Sequence, residues 1–264
     1  MDLSPKNFEN PEKSSPVFSI ITVCRNPGES LTKCIHSVAT QTWENYEHVI
    51  IDGQSDDGTI EKLKQSTEPK LRWFSEKDTG IAQAMNKGIE QSRGTWLLFL
   101  HSDDWFSSCE SLQTAFYDLP LEPAILSYPV RQHHPNGTQS IIPNRGWCFK
   151  TRFKTTLGHQ GTFIHRKLFR YLGRYDESFK ITMDYEWFLR AYWARTPLTS
   201  CKPCLTEMRA TGLSSQKDWK SLSLRFMEEK RAHCLNADAP ELRCAYALYW
   251  TLYPFYRYLK HRLL

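Results

Sequence analysis

Apolar residues recur along this chain at two spacings, and stretches of the two kinds take turns. The runs Val17-Phe18-Ser19-Ile20-Ile21-Thr22-Val23, His48-Val49-Ile50-Ile51, Leu71-Arg72-Trp73-Phe74 and Leu97-Leu98-Phe99-Leu100 are short and rich in β-branched and aromatic residues. Such runs predict strands covered on both faces. Between them Leu31, Ile35, Val38 and Ala39 share one helical face, and helices are expected around Thr59 to Gln65 and from about Ile81 to Gln91. Strands and helices in alternation predict a mostly parallel sheet wound with helices. The pattern then changes. Ala124 to Val130 and Gln139 to Ile142 flank the turn residues Pro135-Asn136-Gly137 and predict a hairpin. A basic, aromatic loop (Trp147, Phe149, Lys150, Arg152, Phe153, Lys154) precedes a short strand at Thr162-Phe163-Ile164. Helices are expected near Lys167 to Leu172, from Thr182 through Ala194, and over most of the chain after about Gln216. The organisation expected is a polar tail (1–16), an α/β domain (17–215) and a helical extension (216–264).

Composition narrows the class without fixing it. A chain of 264 residues with 9 Trp, 12 Tyr and 14 Phe can bury a sizeable core. Its formal charge of +5 is compatible with an anionic substrate or membrane surface and does not single out nucleic acid, so no nucleic-acid partner is expected. The eight cysteines are scattered, and Cys201-Lys202-Pro203-Cys204 lacks the second ligand pair a zinc site would need. No signal-peptide core and no bilayer-spanning run is evident, so a reducing, cytoplasmic location is expected.

The chemistry concentrates in four segments. In Leu97-Leu98-Phe99-Leu100-His101-Ser102-Asp103-Asp104 a wholly apolar run ends in two adjacent carboxylates. Ligands of open α/β sheets gather outside the carboxyl ends of such strands. Two like charges crowded there cost stability unless a cation sits between them. Hard cations take such oxygen ligands, usually shared with substrate phosphates. An Asp pair that merely caps the next turn stays open on this segment alone. In Ile51-Asp52-Gly53-Gln54-Ser55-Asp56-Asp57-Gly58-Thr59, Asp52 ends a strand where a carboxylate can accept hydrogen bonds from a base or ribose. Gly53 allows close approach to the backbone, while Ser55 and Asp57 read equally well as helix caps. A helix opening near Gly80 puts Gln83, Asn86 and Lys87 on one polar side, within reach of a sugar or diphosphate or simply in solvent. In Lys180-Ile181-Thr182-Met183-Asp184, Thr182 is a plausible cap that puts Asp184 in the first helical turn. The helix dipole favours an ionised carboxylate there, ready to accept a proton, though an ordinary first-turn acid satisfies the position too.

In combination and in order, these segments resemble the family 2 glycosyltransferases, inverting enzymes of GT-A fold, over roughly Phe18 to Arg190. Ser19 to Val23 is similar to the family's first strand, and Asp52, Gly53, Ser55, Asp57, Gly58 and Thr59 to its nucleotide-contacting turn. Asp78, Gly80, Ala84, Met85, Asn86, Lys87 and Gly88 resemble a block typical of bacterial cell-surface polysaccharide members. Phe99 to Asp104 resembles the Asp-x-Asp metal motif. Gly158-His159-Gln160, Gly173 to Glu177 and Asp184-Tyr185-Glu186 resemble the acceptor-side segments.

The resemblance implies an α/β fold of GT-A type, a Rossmann-like, mostly parallel central sheet flanked by helices and carrying a helical C-terminal extension. It implies a nucleotide-diphosphate sugar donor held by Thr22, Asp52, Gly53, Ser55, Asp78, Gly80, Asn86, Lys87 and Asp103. It implies a divalent cation, Mn²⁺ or Mg²⁺, on Asp104 and Asp103, and Asp184 as catalytic base, with His159, Gln160, Tyr185 and Glu186 on the acceptor side. The expected reaction is transfer of a hexose to an acceptor hydroxyl in O-antigen, capsule or exopolysaccharide biosynthesis, the acceptor being a polyprenyl-diphosphate-linked sugar. Three departures stand out. His101 replaces an Asp or Asn, Gln83 replaces an acid, and Arg209-Ala210-Thr211-Gly212-Leu213-Ser214 lacks the late His that often helps hold the metal.

The end of the chain is aromatic from Ala245 to Tyr253 and then basic at Arg257, Lys260, His261 and Arg262. An interfacial helix, peripheral on the cytoplasmic face of the inner membrane, and a core-packing helix interrupted at Pro254 both match it. A nucleotidyltransferase acting on a sugar phosphate, a glycoside hydrolase and an inactive scaffold relative are the competing functional readings.

Overall fold

The computed structural model describes residues 15–212, 215 and 218–262, with side chains through Leu259. Residues 1–14 of the polar tail, Leu213, Ser214, Gln216 and the side chains of Lys260, His261 and Arg262 lie outside this description. Strands β1 (Phe18–Cys24), β2 (Tyr46–Asp52), β3 (Leu71–Ser75) and β4 (Trp96–Phe99) alternate with helices α1 (Ser30–Ala39), α2 (Thr59–Gln65) and α3 (Ile81–Gln91). These four strands are parallel, with Cys24 level with Asp52 and Asp52 with Ser75. Their carboxyl ends therefore open on one rim of the sheet.

The wholly apolar strands follow from burial on both faces. Ile21, Val23, Leu97 and Phe99 point to one side, against α3, α5 (Lys167–Tyr171) and α6 (Met183–Trp193). Phe18, Ile20, Trp96 and Leu98 point to the other, against α1 and α4 (Ser111–Asp118). Three further strands, β6 (Ile125–Ser127), β9 (Thr162–His165) and β10 (Leu198–Ser200), complete a seven-stranded sheet in the order β10-β6-β9-β4-β1-β2-β3. Only β9 runs against its neighbours.

The stretch expected as one strand from Ala124 to Val130 is divided between two sheets. After Ser127 it leaves the main sheet, and β7 (Val130–His133) begins a four-stranded sheet in the order β5-β11-β7-β8. Pro129 sits at the crossing, where a residue without an N–H costs no ladder bond. The expected hairpin is present as β7 with β8 (Gln139–Ile142). The sequence pattern misses β5 (Trp105–Phe106), α4, β10 and β11 (Thr206–Arg209), which are short or split between buried and exposed positions.

The extension forms two helices, α7 (Trp219–Leu235) and α8 (Pro240–Arg262). Pro254 does not end α8. The lost backbone bond is offset by packing of Tyr246 and Trp250 against Leu222, Phe226 and Ala237. Of the two readings of this segment, core packing holds for that face of α8.

Candidate active site

A cleft of about 1450 Å³ lies over the carboxyl rim of the parallel strands. It is lined by Arg25, Asp78, the turn His101–Asp104, His159, Gln160 and Lys180–Tyr185. Asp104 and Asp184 thus line one cavity, and Asp52 does not.

The turn after β4 places two carboxylates side by side. Asp104 is buried and accepts a hydrogen bond from its own turn, His101 N at 3.2 Å. Burial first, then the neighbouring Asp103, hold its pKa well above the usual carboxylate range, and a hydrogen bond from Gln160 works in the opposite direction. Asp103 Oδ2 accepts from Thr211, in the segment where the late His is missing. No ion pair reaches either carboxylate among the described residues. A buried acid beside a second acid, with no basic partner, suits a hard divalent cation. No group of three or more His, Cys, Asp or Glu ligands converges among the described residues. A cation here would take its remaining ligands from phosphate oxygens and water, the usual habit of Mg²⁺ and its relatives. His101 is part-buried, and desolvation, against the opposing pull of Asp103, lowers its pKa and favours the neutral imidazole.

Most of the expected donor-side residues shape the rim rather than line it. Asp52 is fully buried, and its carboxylate accepts from Ser55 N, Ser55 Oγ and Ser75 Oγ. It ties the ends of β2 and β3 together. Thr22 Oγ1 donates to Leu100 O at 2.7 Å and lies 2.9 Å from His48 Nε2, joining β1, β2 and β4. Gly53 is needed because a Cβ there would stand 2.5 Å from Asp78 Oδ2. Asp78 itself lines the cleft and accepts from Gly80 N, whose φ of +151° favours glycine.

The polar side of α3 works as a clasp. Asn86 bonds both Tyr175 N and Tyr175 O and reaches Glu177, while Gln83 also bonds Glu177. Lys87 Nζ donates to Lys77 O at 2.8 Å and pairs with Glu76. Asn86 and Lys87 thus hold loops that border the cleft and do not themselves line it.

Asp184 is the second residue of α6. Its Oδ1 accepts from Tyr185 N at 2.7 Å, a helix N-terminal N–H of the kind that favours the ionised form. Burial outweighs this and pushes its pKa up to about 6, with the nearby Glu228 adding a smaller push in the same direction. A carboxylate that titrates near neutrality is well matched to accepting a proton. Thr182 precedes the helix as expected, but its hydroxyl does not cap it and turns to Glu228 instead.

The rest of the acceptor wall is built around aromatic contacts. His159 stacks on Phe99, lies 3.0 Å from the Tyr175 hydroxyl through Nε2, and is held neutral by burial, its pKa lowered to about 3. Tyr185 lines the cleft and carries its hydroxyl back into α7. Glu186 points away, locked to Arg190 by three contacts of 2.8–3.1 Å.

Sequence reasoning missed the two supports behind Asp184. Glu228 of α7 accepts from the backbone N–H of Lys180, Ile181 and Thr182 at 2.8–2.9 Å, clamping the loop that delivers Asp184. His233 of α7 is fully buried between α6 and α8. Trp250 Nε1 donates to its Nδ1, so Nε2 carries the proton and donates to the Tyr185 hydroxyl, which donates onward to Thr151 O. A glutamate and a histidine within a helical stretch carry no signal of such roles. Arg257, read from the sequence as part of the basic chain end, and Arg225, not singled out there, also line the cleft.

A mostly parallel sheet with a single reversed strand thus carries a cleft lined by paired carboxylates and a third acid. The model of the family described as Glycosyl transferase family 2 matches residues 19–174, and the chain belongs to that family. It is 32% identical over 188 residues to the "PGL/p-HBAD biosynthesis glycosyltransferase" of Mycobacterium bovis, an alignment covering 68% of this chain and 71% of that one. It is also 32% identical over 214 residues to an uncharacterized glycosyltransferase of Mycobacterium tuberculosis, covering 78% and 79%. Among solved structures it is similar to Staphylococcus aureus TarS in complex with UDP-GlcNAc (TM-score 0.63, 19% identity, 86% of this chain and 68% of that chain). It is likewise similar to a mannosyltransferase of Pyrobaculum calidifontis in complex with GDP-Man and Mn²⁺ (TM-score 0.65, 11% identity, 95% and 74%). These likenesses bear out the GT-A fold. The family membership makes the protein a glycosyltransferase acting on nucleotide sugars and decides against the nucleotidyltransferase and hydrolase readings.

Proposed function

We propose that the protein inverts configuration in a single displacement, with Asp184 as the base. The observation that carries this is the shared cleft: Asp184, raised to about 6, lines the same cavity as the Asp103–Asp104 pair. An acceptor hydroxyl gives its proton to the Asp184 carboxylate while its oxygen attacks the anomeric carbon. The bond from that carbon to the nucleoside diphosphate breaks on the opposite face. Asp104, assisted by Asp103, would hold a Mn²⁺ or Mg²⁺ ion that offsets charge on the departing diphosphate. Asp78 borders the donor side, and the buried bonds of Asp52 and Thr22 fix the rim on which the nucleoside rests.

The acceptor in this reading is a sugar on a polyprenyl diphosphate, elongated for a cell-surface polysaccharide at the cytoplasmic face of a membrane. Lys180 and Arg257 line the cleft beside Arg225, which pairs with Glu229, and these side chains support an anionic acceptor. No helix among the described residues is long and apolar enough to cross a membrane, so such an acceptor would be met at the surface. The eight free cysteines accord with a reducing compartment.

Asp184→Asn tests the assignment. Transfer is expected to fall by about 10²–10⁴-fold, with donor affinity by calorimetry unchanged. Transfer at the parent rate removes Asp184 from the role, and a product retaining the donor's anomeric configuration by NMR rules out the single displacement.

A further inference from the structure

The outward face of α8 is apolar, where the solvent side of a surface helix is ordinarily polar. Tyr246 and Trp250 turn inward onto α7. Roughly opposite them stand Leu248, Leu252, Phe255, Tyr256 and Leu259, with Leu248 and Phe255 each 64% exposed. At 3.6 residues per turn these five fall within about a 100° arc, running for about 16 Å along the helix. Next to α8, Phe153 packs on Tyr249 with ring centroids 5.1 Å apart, and its turn presents the exposed Phe149 and Lys150.

Charge identifies what covers this face. Past this apolar arc the sequence adds Lys260, His261 and Arg262, and no Asp or Glu follows Glu241; Arg243 and Arg257 turn inward instead, to Ala237 O and to the Phe226 and Tyr253 rings. A second copy of the chain would bring like charge against like. An anionic lipid surface supplies both an apolar layer and the opposite charge. The same helix also contributes Arg257 to the cleft, so its two sides address surface and site together. We infer that the outward face of α8 docks the protein on an anionic lipid bilayer, the helix lying in the plane of the headgroups. The link to catalysis rests on the lipid-linked acceptor proposed above; the docking itself does not.

Full-length protein co-sedimented with vesicles tests this, using phosphatidylcholine alone and phosphatidylcholine mixed with phosphatidylglycerol. The parent is expected to bind the anionic vesicles, less so at high salt. Leu252→Glu/Phe255→Glu is expected to bind at least about tenfold more weakly, with an unchanged thermal midpoint and unchanged binding of UDP or GDP, whichever stabilises the parent. If that variant unfolds, Leu248→Gln/Leu252→Gln serves in its place with the same expected direction. A parent that ignores the vesicles, or a folded variant that binds them equally, overturns the docking while nucleotide binding leaves the transferase reading standing. A dimer by light scattering that these substitutions dissociate, without vesicle binding, gives the face to a second copy and overturns the proposal too.

Discussion

Asp104 and Asp184 line one cleft, and both hold a proton more tightly than a carboxyl in water, yet their surroundings differ in kind. Asp104 is buried beside another acid, and no ion pair among the described residues relieves it. Asp184 is only part-buried, and the N–H groups at the start of α6 partly support its charge, leaving it near 6. The first environment is short of positive charge, and in the proposed mechanism a cation would complete it. The second is balanced close to neutrality, and in that mechanism a proton would complete it. Two acids of one cleft are thereby set to different tasks by what surrounds them.

The largest effect that separates them is expected from Asp104→Asn. Metal-dependent donor affinity, measured by calorimetry with and without Mn²⁺, should fall at least about tenfold, whereas Asp184→Asn leaves it intact. The same change removes an unpaired buried charge, so the metal-free thermal midpoint should rise by about 2–4 °C, the equivalent of about 1 kcal/mol in a domain of this size. Next comes the clamp behind Asp184. Glu228→Ala strips three backbone donors of their acceptor and should cost about 3 kcal/mol in denaturant unfolding, while Glu228→Gln keeps an acceptor oxygen and costs less. A smaller effect is expected from pH. The base works deprotonated, so kcat/KM should fall about tenfold per unit below a midpoint of about 6 and level off above it. The smallest is a refinement of that profile. Glu228 raises the Asp184 pKa, so Glu228→Gln should move the midpoint to lower pH; a midpoint that stays put denies the coupling.

The sequence made the donor half of the fold legible because each parallel strand is buried on both faces and announces itself as an apolar run. Thr59 to Gln65 and Ile81 to Gln91 match α2 and α3 residue for residue. The short strands of the second sheet left no such trace, and Pro129 concealed a change of sheet within one apolar stretch. Asp103, Asp104, Asp184, His159, Gln160 and Tyr185 do line the cleft. Asp52, Thr22, Asn86, Lys87 and Glu186 serve instead as buried ties and clasps. A motif records which residue stands at a position, but not whether its hydrogen bonds are already committed to the fold. Glu228 and His233 were invisible for the complementary reason, since the groups of α6 and its approach that they hold lie 46–48 residues away along the chain.

The family match closes at residue 174, ahead of Asp184 and of everything that holds it. His233 has both ring nitrogens engaged, one by Trp250 and one by Tyr185, and thereby rivets the last two helices to the spine of α6. If Asp184 is the base proposed above, a chimera that grafted only the matched segment onto another C-terminal half would forfeit its proton acceptor. Exchange of acceptor preference between relatives would therefore require α6, α7 and α8 to be transplanted as one piece.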